Sequence, residues 1–315
     1  MLNRRHLRIK VLQTLYSFSQ NADMDFVQAK KELLKSVEQM YRLYISLLLT
    51  FSELKAQGEH RLAENKKKLL PTEEDLNPNR KFVDNAIIKI LEEQAELRHQ
   101  AEQLKVNWLG AEEQEIFRKM YNSIRKSETY FEFMDNGESG FEADKSFAIQ
   151  LFKHDIANFQ ALYDYYEEKS IFWMDDIDLA CAMVIKTIKS FKEEEESSIL
   201  PLYKPNDDEK DFIETLLKET IKLEKENLVI IDKLTKNWEL DRIAKMDVLL
   251  MEMAITELRV FPNIPTKVTL NEYIEISKFY STPKSNVFIN GVLDKAISQL
   301  ESEGKIRKIG RGLMK

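Results

Sequence analysis

The chain has 315 residues, of which 43% are hydrophobic and 32% charged, and its formal net charge is −7. This composition is typical of a soluble globular protein with one large or two smaller domains, and the negative charge argues against a surface uniformly adapted to nucleic acid. The single cysteine, Cys181, excludes an intrachain disulfide and argues against a thiolate zinc site. Eight glycines and seven prolines are few, which favours long helices over folds rich in tight turns.

The chain lacks a sequence long and apolar enough to cross a bilayer, which takes about 20 residues. The N-terminus starts basic, but Gln13 and Thr14 interrupt the apolar run that a signal peptide requires. We therefore expect a cytoplasmic protein without a membrane partner.

The first predicted helix covers residues 3–19 and begins with an acid-free cluster of Arg4, Arg5 and Arg8. The partial positive charge of a helix N-terminus favours acids rather than arginines. The cluster is therefore either a solvated basic end or a group selected for contact with phosphates.

Helical periodicity continues through the middle of the chain. Predicted helices cover residues 25–57, 80–107, 111–134, 143–168 and 175–192. Residues 193–210, with four consecutive glutamates and two prolines, are the strongest candidate for a linker. Further helices are predicted at 209–236, 241–261, 270–280 and 285–302.

The last third of the chain carries the clearest local signals. Residues 247–261 are apolar almost all round, which is typical of the central helix of a bundle. Thr269 and Glu272 have the spacing of a capping box, and Ser285 is predicted to cap the final helix. Gly291 lies inside that helix, where a glycine indicates that another helix crosses closely.

The residues do not suggest catalysis. The four histidines, at positions 6, 60, 99 and 154, have no metal-ligand spacing, and no phosphate-binding loop is present. Adjacent acids such as Asp175 and Asp176 would point apart on a helix and are interpreted as cap or linker residues. We predict a protein that is not an enzyme and needs no metal or cofactor.

Several motifs, in the same order, resemble the NusB family of transcription antitermination factors. They are Arg4-Arg5 with Arg8, Gln13-x-Leu15-Tyr16, Asp241-Arg242-Ile243-Ala244, Ile264-Pro265, Asn271-Glu272, and Phe288-Ile289-Asn290-Gly291-Val292-Leu293-Asp294. The resemblance covers residues 3–20 and roughly 209–300. It implies an all-α fold, a NusB-like helical bundle with an extra helical region between the first helix and the C-terminal core.

The resemblance also implies a division of the chain. Residues 1–20 would be the first helix of the bundle, 21–206 a helical insertion, 207–303 the bundle core, and 304–315 a basic flexible tail. Residues 21–57 are assigned either to the insertion or to the bundle.

By the same resemblance, the function would be transcription antitermination on boxA-type single-stranded RNA of ribosomal RNA operons. The partners would be the small-subunit ribosomal protein NusE and the RNA polymerase antitermination complex. The predicted RNA-binding residues are Arg4, Arg5, Arg8, Tyr16, Lys284, Ser285 and Phe288. The predicted partner-binding residues are Asp241 and Asp247.

Two other functions stay open at this point. Some RNA methyltransferases carry a NusB-like domain, but such an enzyme would need strands and glycines for its cofactor within residues 21–206. A helical scaffold that has lost RNA binding is the third possibility.

Overall fold

The all-α prediction is confirmed. The computed structural model describes residues 3–170, 172–203, 208–235 and 242–313, and these contain no β-strand. Within these ranges, no helix combines the length and apolar character that crossing a membrane requires.

Fourteen helices are described, and their order follows the chain. The first ten are α1 Arg4–Gln20, α2 Phe26–Lys66, α3 Glu73–Leu76, α4 Ala86–Glu93, α5 Ala95–Leu104, α6 Ala111–Ile124, α7 Glu128–Asp135, α8 Phe141–Leu151, α9 Gln160–Lys169 and α10 Ile177–Ser190. The last four are α11 Glu209–Leu234, α12 Lys245–Val260, α13 Thr266–Tyr280 and α14 Ser285–Ser302.

The chain forms two compact units. One comprises Met1–Val37 with Tyr203–Lys315, and the other comprises Glu38–Leu202. Helix α2 belongs to both, and its residues Ala29, Leu33 and Val37 are buried. The first unit therefore includes part of residues 21–57, which the sequence analysis assigned either to the insertion or to the bundle.

Helix α12 is the centre of the first unit, as its apolar sequence predicts. Every residue from Asp247 to Leu258 is buried, and α12 packs against α1, α11, α13 and α14. Its polar side chains are buried as well. Thr256 Oγ1 accepts a hydrogen bond at 2.9 Å from Asn227 Nδ2 of α11, which satisfies two polar groups inside the helix interface.

The second unit is built around aromatic side chains. The ring of Trp108 lies 5.0 Å from Phe117 and 6.0 Å from Tyr166, between ring centroids. Its indole nitrogen donates to the carbonyl of Ser46 on α2 at 3.1 Å. The same Ser46 hydroxyl lies 3.0 Å from the Tyr166 hydroxyl, so a buried tryptophan and tyrosine both anchor on α2.

Helix α2 is longer than the predicted helix, which ended at Gly58. A Cβ at Gly58 would lie 2.8 Å from Val83 Cγ1. Glycine here permits close packing inside a continuous helix rather than ending it.

Other predicted helices are broken in the structure. Gln94 separates α4 from α5 with an extended backbone, and Ser127 caps α7 by accepting from the Tyr130 amide. The predicted helix 143–168 is divided by a π-helical turn at Phe152–Ile156. A polar side-chain cap accompanies only the break at Ser127, whereas Gln94 makes no side-chain cap hydrogen bond.

Three predictions for the last helices are wrong. Helix α13 starts at Thr266, so Thr269 lies within it rather than capping it, and Ser285 makes no cap hydrogen bond. No atom comes within 4 Å of a Cβ placed at Gly291, so no helix of the described chain crosses there. Both hydroxyl groups bind buried carboxylates instead, as described below.

Candidate functional site

The three arginines at the start of α1 each pair with an acid from a different part of the first unit. Arg4 pairs with Asp208, Arg5 with Glu272 and Arg8 with Glu257. The acid-free start of α1 is therefore matched by acids that are distant in sequence. These tertiary ion pairs explain why arginines occupy a helix end that favours acids.

Arg8 and Glu257 form a buried bidentate ion pair. Arg8 Nε donates to Glu257 Oε2 and Arg8 Nη2 to Oε1, both at 2.7 Å. Arg8 is 1% exposed and Glu257 0% exposed. We predicted that Arg8 contacts a phosphate, but its guanidinium is buried and paired with Glu257.

The Glu257 carboxylate accepts two more hydrogen bonds. Thr269 Oγ1 donates to Oε1 at 2.8 Å, and the Tyr273 hydroxyl donates to Oε2 at 3.1 Å. Four donors thus use the acceptor capacity of an ionised carboxylate. Burial opposes the charge on Arg8, but the neighbouring Glu257 outweighs it and raises the pKa of the guanidinium.

Tyr273 is held neutral in this network. Its complete burial, and then the negative charge of Glu257, raise the pKa of the phenol well above its ordinary value. Tyr273 therefore stays a hydrogen-bond donor to Glu257 across the physiological pH range.

Arg5 and Arg4 extend the network towards the surface. Arg5 donates to Glu272 through Nε at 3.0 Å and Nη2 at 2.8 Å, and Glu272 also lies 3.7 Å from Arg8 Nη1. The guanidinium carbons of Arg4 and Arg8 lie 5.0 and 5.3 Å from the centroid of the Phe212 ring. Arg4 and Arg8 are four residues apart on α1, so they lie on the same side of the helix and share this aromatic contact.

The arginines border an open pocket of about 570 Å³, here called the arginine pocket. Its lining residues are Asn3, Arg4, Arg5, Arg8, Asn263, Ile264, Pro265, Val268 and Glu272. The loop between α12 and α13 supplies one side of it. The pocket therefore brings together the basic start of α1 and the Ile264-Pro265 motif.

Asp247 organises the start of α14. Its carboxylate accepts hydrogen bonds from the Ser285 hydroxyl at 2.7 Å and from the Ser281 hydroxyl. Asp247 is 5% exposed and Ser285 2% exposed. Two residues that the sequence assigned to different surfaces thus form one buried contact that positions the turn between α13 and α14.

A second and more apolar cavity, of about 670 Å³, lies at this turn and is here called the α14 groove. Its lining residues are Arg242, Ile243, Ala244, Asp247, Thr282, Lys284, Ser285, Val287 and Phe288. Lys284 is exposed and Phe288 is half-buried. The groove therefore combines cationic side chains with an accessible aromatic ring.

Tyr16 lies apart from these cavities. Tyr16 is 41% exposed on α1 and lines neither the arginine pocket nor the α14 groove. Asp241, the other predicted partner contact, lies outside the described residues. Of the nine predicted residues, the arginine pocket gathers three and the α14 groove gathers four.

Sequence reasoning missed the partners of the arginines. Glu257 lies in a mostly apolar helix, and a charge in a buried helix requires an opposite charge nearby. The sequence could therefore have predicted that Glu257 has a cationic partner. Thr269, Tyr273 and Glu272 carried no such signal, because their roles depend on where Glu257 and the arginines lie.

Glu252 is a second buried acid on α12. Burial, and then the negative charge of Glu224 on α11, raise its pKa to about 7, while Lys245 on α12 acts in the opposite direction. The folded protein therefore holds a proton at Glu252 that the unfolded chain releases at lower pH.

Comparison with known proteins adds a family match. The sequence model described as the NusB family matches residues 178–298. No solved structure gives a significant match to this chain.

Three relatives carry the name transcription antitermination protein NusB. The protein from Salinibacter ruber is 48% identical over 105 residues, which are 33% of this chain and 66% of that relative. The protein from Chloroherpeton thalassium is 43% identical over 105 residues, or 33% of this chain and 50% of the relative. The protein from Natranaerobius thermophilus is 38% identical over 89 residues, or 28% and 64%. The chain thus spans between half and just under two thirds of the length of these relatives.

The buried ion pair gives the first prediction. Arg8→Ala or Glu257→Ala should each lower the free energy of unfolding by about 3–5 kcal/mol, because each leaves an unpaired buried charge. The double variant Arg8→Met with Glu257→Leu should lose much less than the sum of the two single variants. Urea denaturation followed by circular dichroism measures this. Additive losses would show that the two side chains do not act as a pair.

Glu252 gives a prediction for pH dependence. Since its folded pKa is raised, its stabilising contribution is present at low pH and is lost as the pH rises through about 7. The unfolding free energy of the wild type should therefore fall by roughly 2–3 kcal/mol between about pH 5 and about pH 8. Glu252→Gln should abolish this decrease. Glu224→Gln, which keeps Glu252, should reduce that loss only in part. Parallel pH profiles for wild type and Glu252→Gln would contradict the assignment.

Proposed function

Because this chain belongs to the NusB family, we propose that it is an RNA-binding transcription antitermination factor. Its RNA is a boxA-type single strand of ribosomal RNA operons. Its protein partner is the small-subunit ribosomal protein NusE, and the two act together in the RNA polymerase antitermination complex.

The observation that carries the RNA-binding proposal is the α14 groove. Single-stranded RNA is bound by aromatic side chains that stack on bases and by cations that contact phosphates. The groove offers Phe288 for the first contact and Lys284 for the second, at the start of a helix of 18 residues. The N-terminal amides of α14 add a partial positive charge for a phosphate.

The arginine cluster has a divided role in this proposal. Arg4 and Arg5 lie at the surface and contact RNA by exchanging a carboxylate partner for a phosphate. Arg8 and Ser285 are buried and act by positioning α1 and the start of α14. Tyr16 provides a second exposed aromatic ring for stacking.

The methyltransferase alternative loses its structural basis. It requires a nucleotide-binding domain with strands within residues 21–206, and the described part of that range is helical. We therefore propose a binding protein rather than an enzyme. A scaffold without RNA binding is the alternative that the next experiment decides.

Removing one stacking ring should weaken RNA binding. Phe288→Leu keeps an apolar side chain but no flat ring, so affinity for single-stranded RNA should fall about tenfold. Lys284→Ala should weaken binding less and lower the salt slope by about one. Fluorescence anisotropy with a boxA-type leader RNA and with polyuridine, across a salt series, measures both effects.

Matched controls lie on neighbouring helix faces. Phe279→Leu changes an exposed ring of α13 that does not line the groove, and Lys295→Ala changes an exposed cation of α14. Both should bind RNA like the wild type. Loss of affinity in the controls equal to that in Phe288→Leu would remove the groove as the RNA site. A folded wild type without RNA affinity, with or without NusE, would favour the scaffold.

The two predicted partner residues should behave differently. A basic ribosomal protein favours acidic contacts, so Asp241→Lys should weaken association with NusE while leaving the far-ultraviolet circular dichroism spectrum unchanged. Asp247→Asn should instead destabilise the fold by about 1–3 kcal/mol, because buried Asp247 accepts two hydroxyl groups. Asp232→Lys, an exposed charge reversal on α11, is the control. Calorimetry with purified NusE that gives equal affinity for wild type and Asp241→Lys would contradict the partner assignment.

A further inference from the structure

The C-terminal segment 304–315 is basic and lies beyond the matched residues 178–298. It contains Lys305, Arg307, Lys308, Arg311 and Lys315 and no acid. The sequence predicts a flexible tail. The described part, through residue 313, instead ends in a 3₁₀ turn at Gly310–Leu313 and makes specific contacts.

The segment is attached to the loop between α12 and α13. Lys308 Nζ donates to the Phe261 carbonyl at 3.0 Å, and the Ile309 amide donates to the Pro262 carbonyl at 3.0 Å. A Cβ at Gly312 would lie 1.9 Å from the Pro262 carbonyl oxygen. Only a glycine permits this approach of the segment to the loop.

Its backbone path also depends on glycine. Gly304 and Gly310 have φ of +66° and +52°, in the left-handed region that favours glycine. Gly304 ends α14, because it follows the C-cap Glu303 and the Lys305 amide donates to the Leu300 carbonyl at 2.9 Å. Gly310 and Gly312 lie in the turn that contacts the loop, and their sequence therefore favours the docked conformation.

The docking loop joins the segment to the arginine pocket. Asn263, Ile264 and Pro265 of that loop line the pocket, and the neighbouring Phe261 ring lies 5.0 Å from the ring of Phe212. Phe212 in turn carries the guanidinium groups of Arg4 and Arg8. The basic segment is thus bound to the backbone of the loop, and the Phe261 ring of that loop contacts the Phe212 ring beside Arg4 and Arg8.

The charge balance favours a nucleic acid as the occupant. Arg4, Arg5 and Arg8 are each paired with an acid of this chain, so the arginine pocket has little excess positive charge. Arg307 is exposed and lies in a stretch without acids. Binding of a polyanion requires such cations, since the free energy comes from counterions released at each phosphate.

We propose that residues 304–313 form a docked basic arm that binds the phosphates of single-stranded RNA beside the arginine pocket. This rests on the RNA-binding function proposed above and adds to it a contact outside the family region. The docked conformation orders the arm before binding, which reduces the entropy lost when RNA binds.

The test uses the full chain and a polyuridine oligonucleotide alongside the boxA-type leader RNA. Arg307→Ala with Arg311→Ala should weaken binding about tenfold near physiological salt and lower the salt slope by about two. The matched control is Lys66→Ala with Lys67→Ala, two exposed cations of the second unit. The control should keep both affinity and slope.

Gly312→Ala tests docking without changing charge. It should release the arm, which hydrogen exchange reports as lost protection of the Ile309 amide. RNA affinity should then fall several-fold at an unchanged salt slope.

The outcomes separate the two proposals. A wild type that binds RNA, with tail variants of equal affinity and slope, overturns the arm and leaves the proposed function standing. A wild type that binds no RNA overturns both. Gly312→Ala with lost protection but unchanged affinity shows that docking does not contribute, and that outcome overturns the docked arm.

Discussion

The ion pair between Arg8 and Glu257 is the constraint on which the first unit depends. A buried charge is stable only when its partner and hydrogen bonds are complete, and Glu257 has four donors from α1 and α13. Any shift of α1 against α12 would break the bidentate geometry of this pair, whereas apolar contacts alone would tolerate such a shift. The positions of the arginine pocket and of the loop that borders it follow from this pair.

This use of arginine changes what the basic start of α1 can do. An acid-free cluster in sequence becomes nearly neutral in three dimensions, because Asp208, Glu257 and Glu272 converge on it. In the proposed RNA complex, Arg4 and Arg5 must therefore give up a carboxylate to contact a phosphate, and the start of α14 and the C-terminal segment add further cations. The number of charges along the sequence therefore did not predict which arginines are buried. The family assignment did not depend on that number.

The compact units and the family region do not coincide. The family match begins at residue 178, within α10, whereas the first unit resumes only at Tyr203. Helix α2 likewise contributes to both units. The first unit includes residues 21–37, which agrees with the alternative that places part of residues 21–57 in the bundle. The linker predicted at 193–210 spans the boundary at 202.

The sequence by itself determined the helical class, the central position of α12 and the family, because hydrophobic period and ordered motifs are local properties of the chain. It did not determine what individual polar residues and glycines do. Gly58 was assigned to a helix end and Gly291 to a close crossing, but the close approach is at Gly58, inside α2, and there is none at Gly291. Thr269 and Ser285 were predicted to cap helices, but their hydroxyl groups donate to Glu257 and Asp247, respectively. The reason is physical: a hydroxyl, a carboxylate or a missing Cβ takes its role from the atoms around it, and those atoms come from residues far away in the sequence.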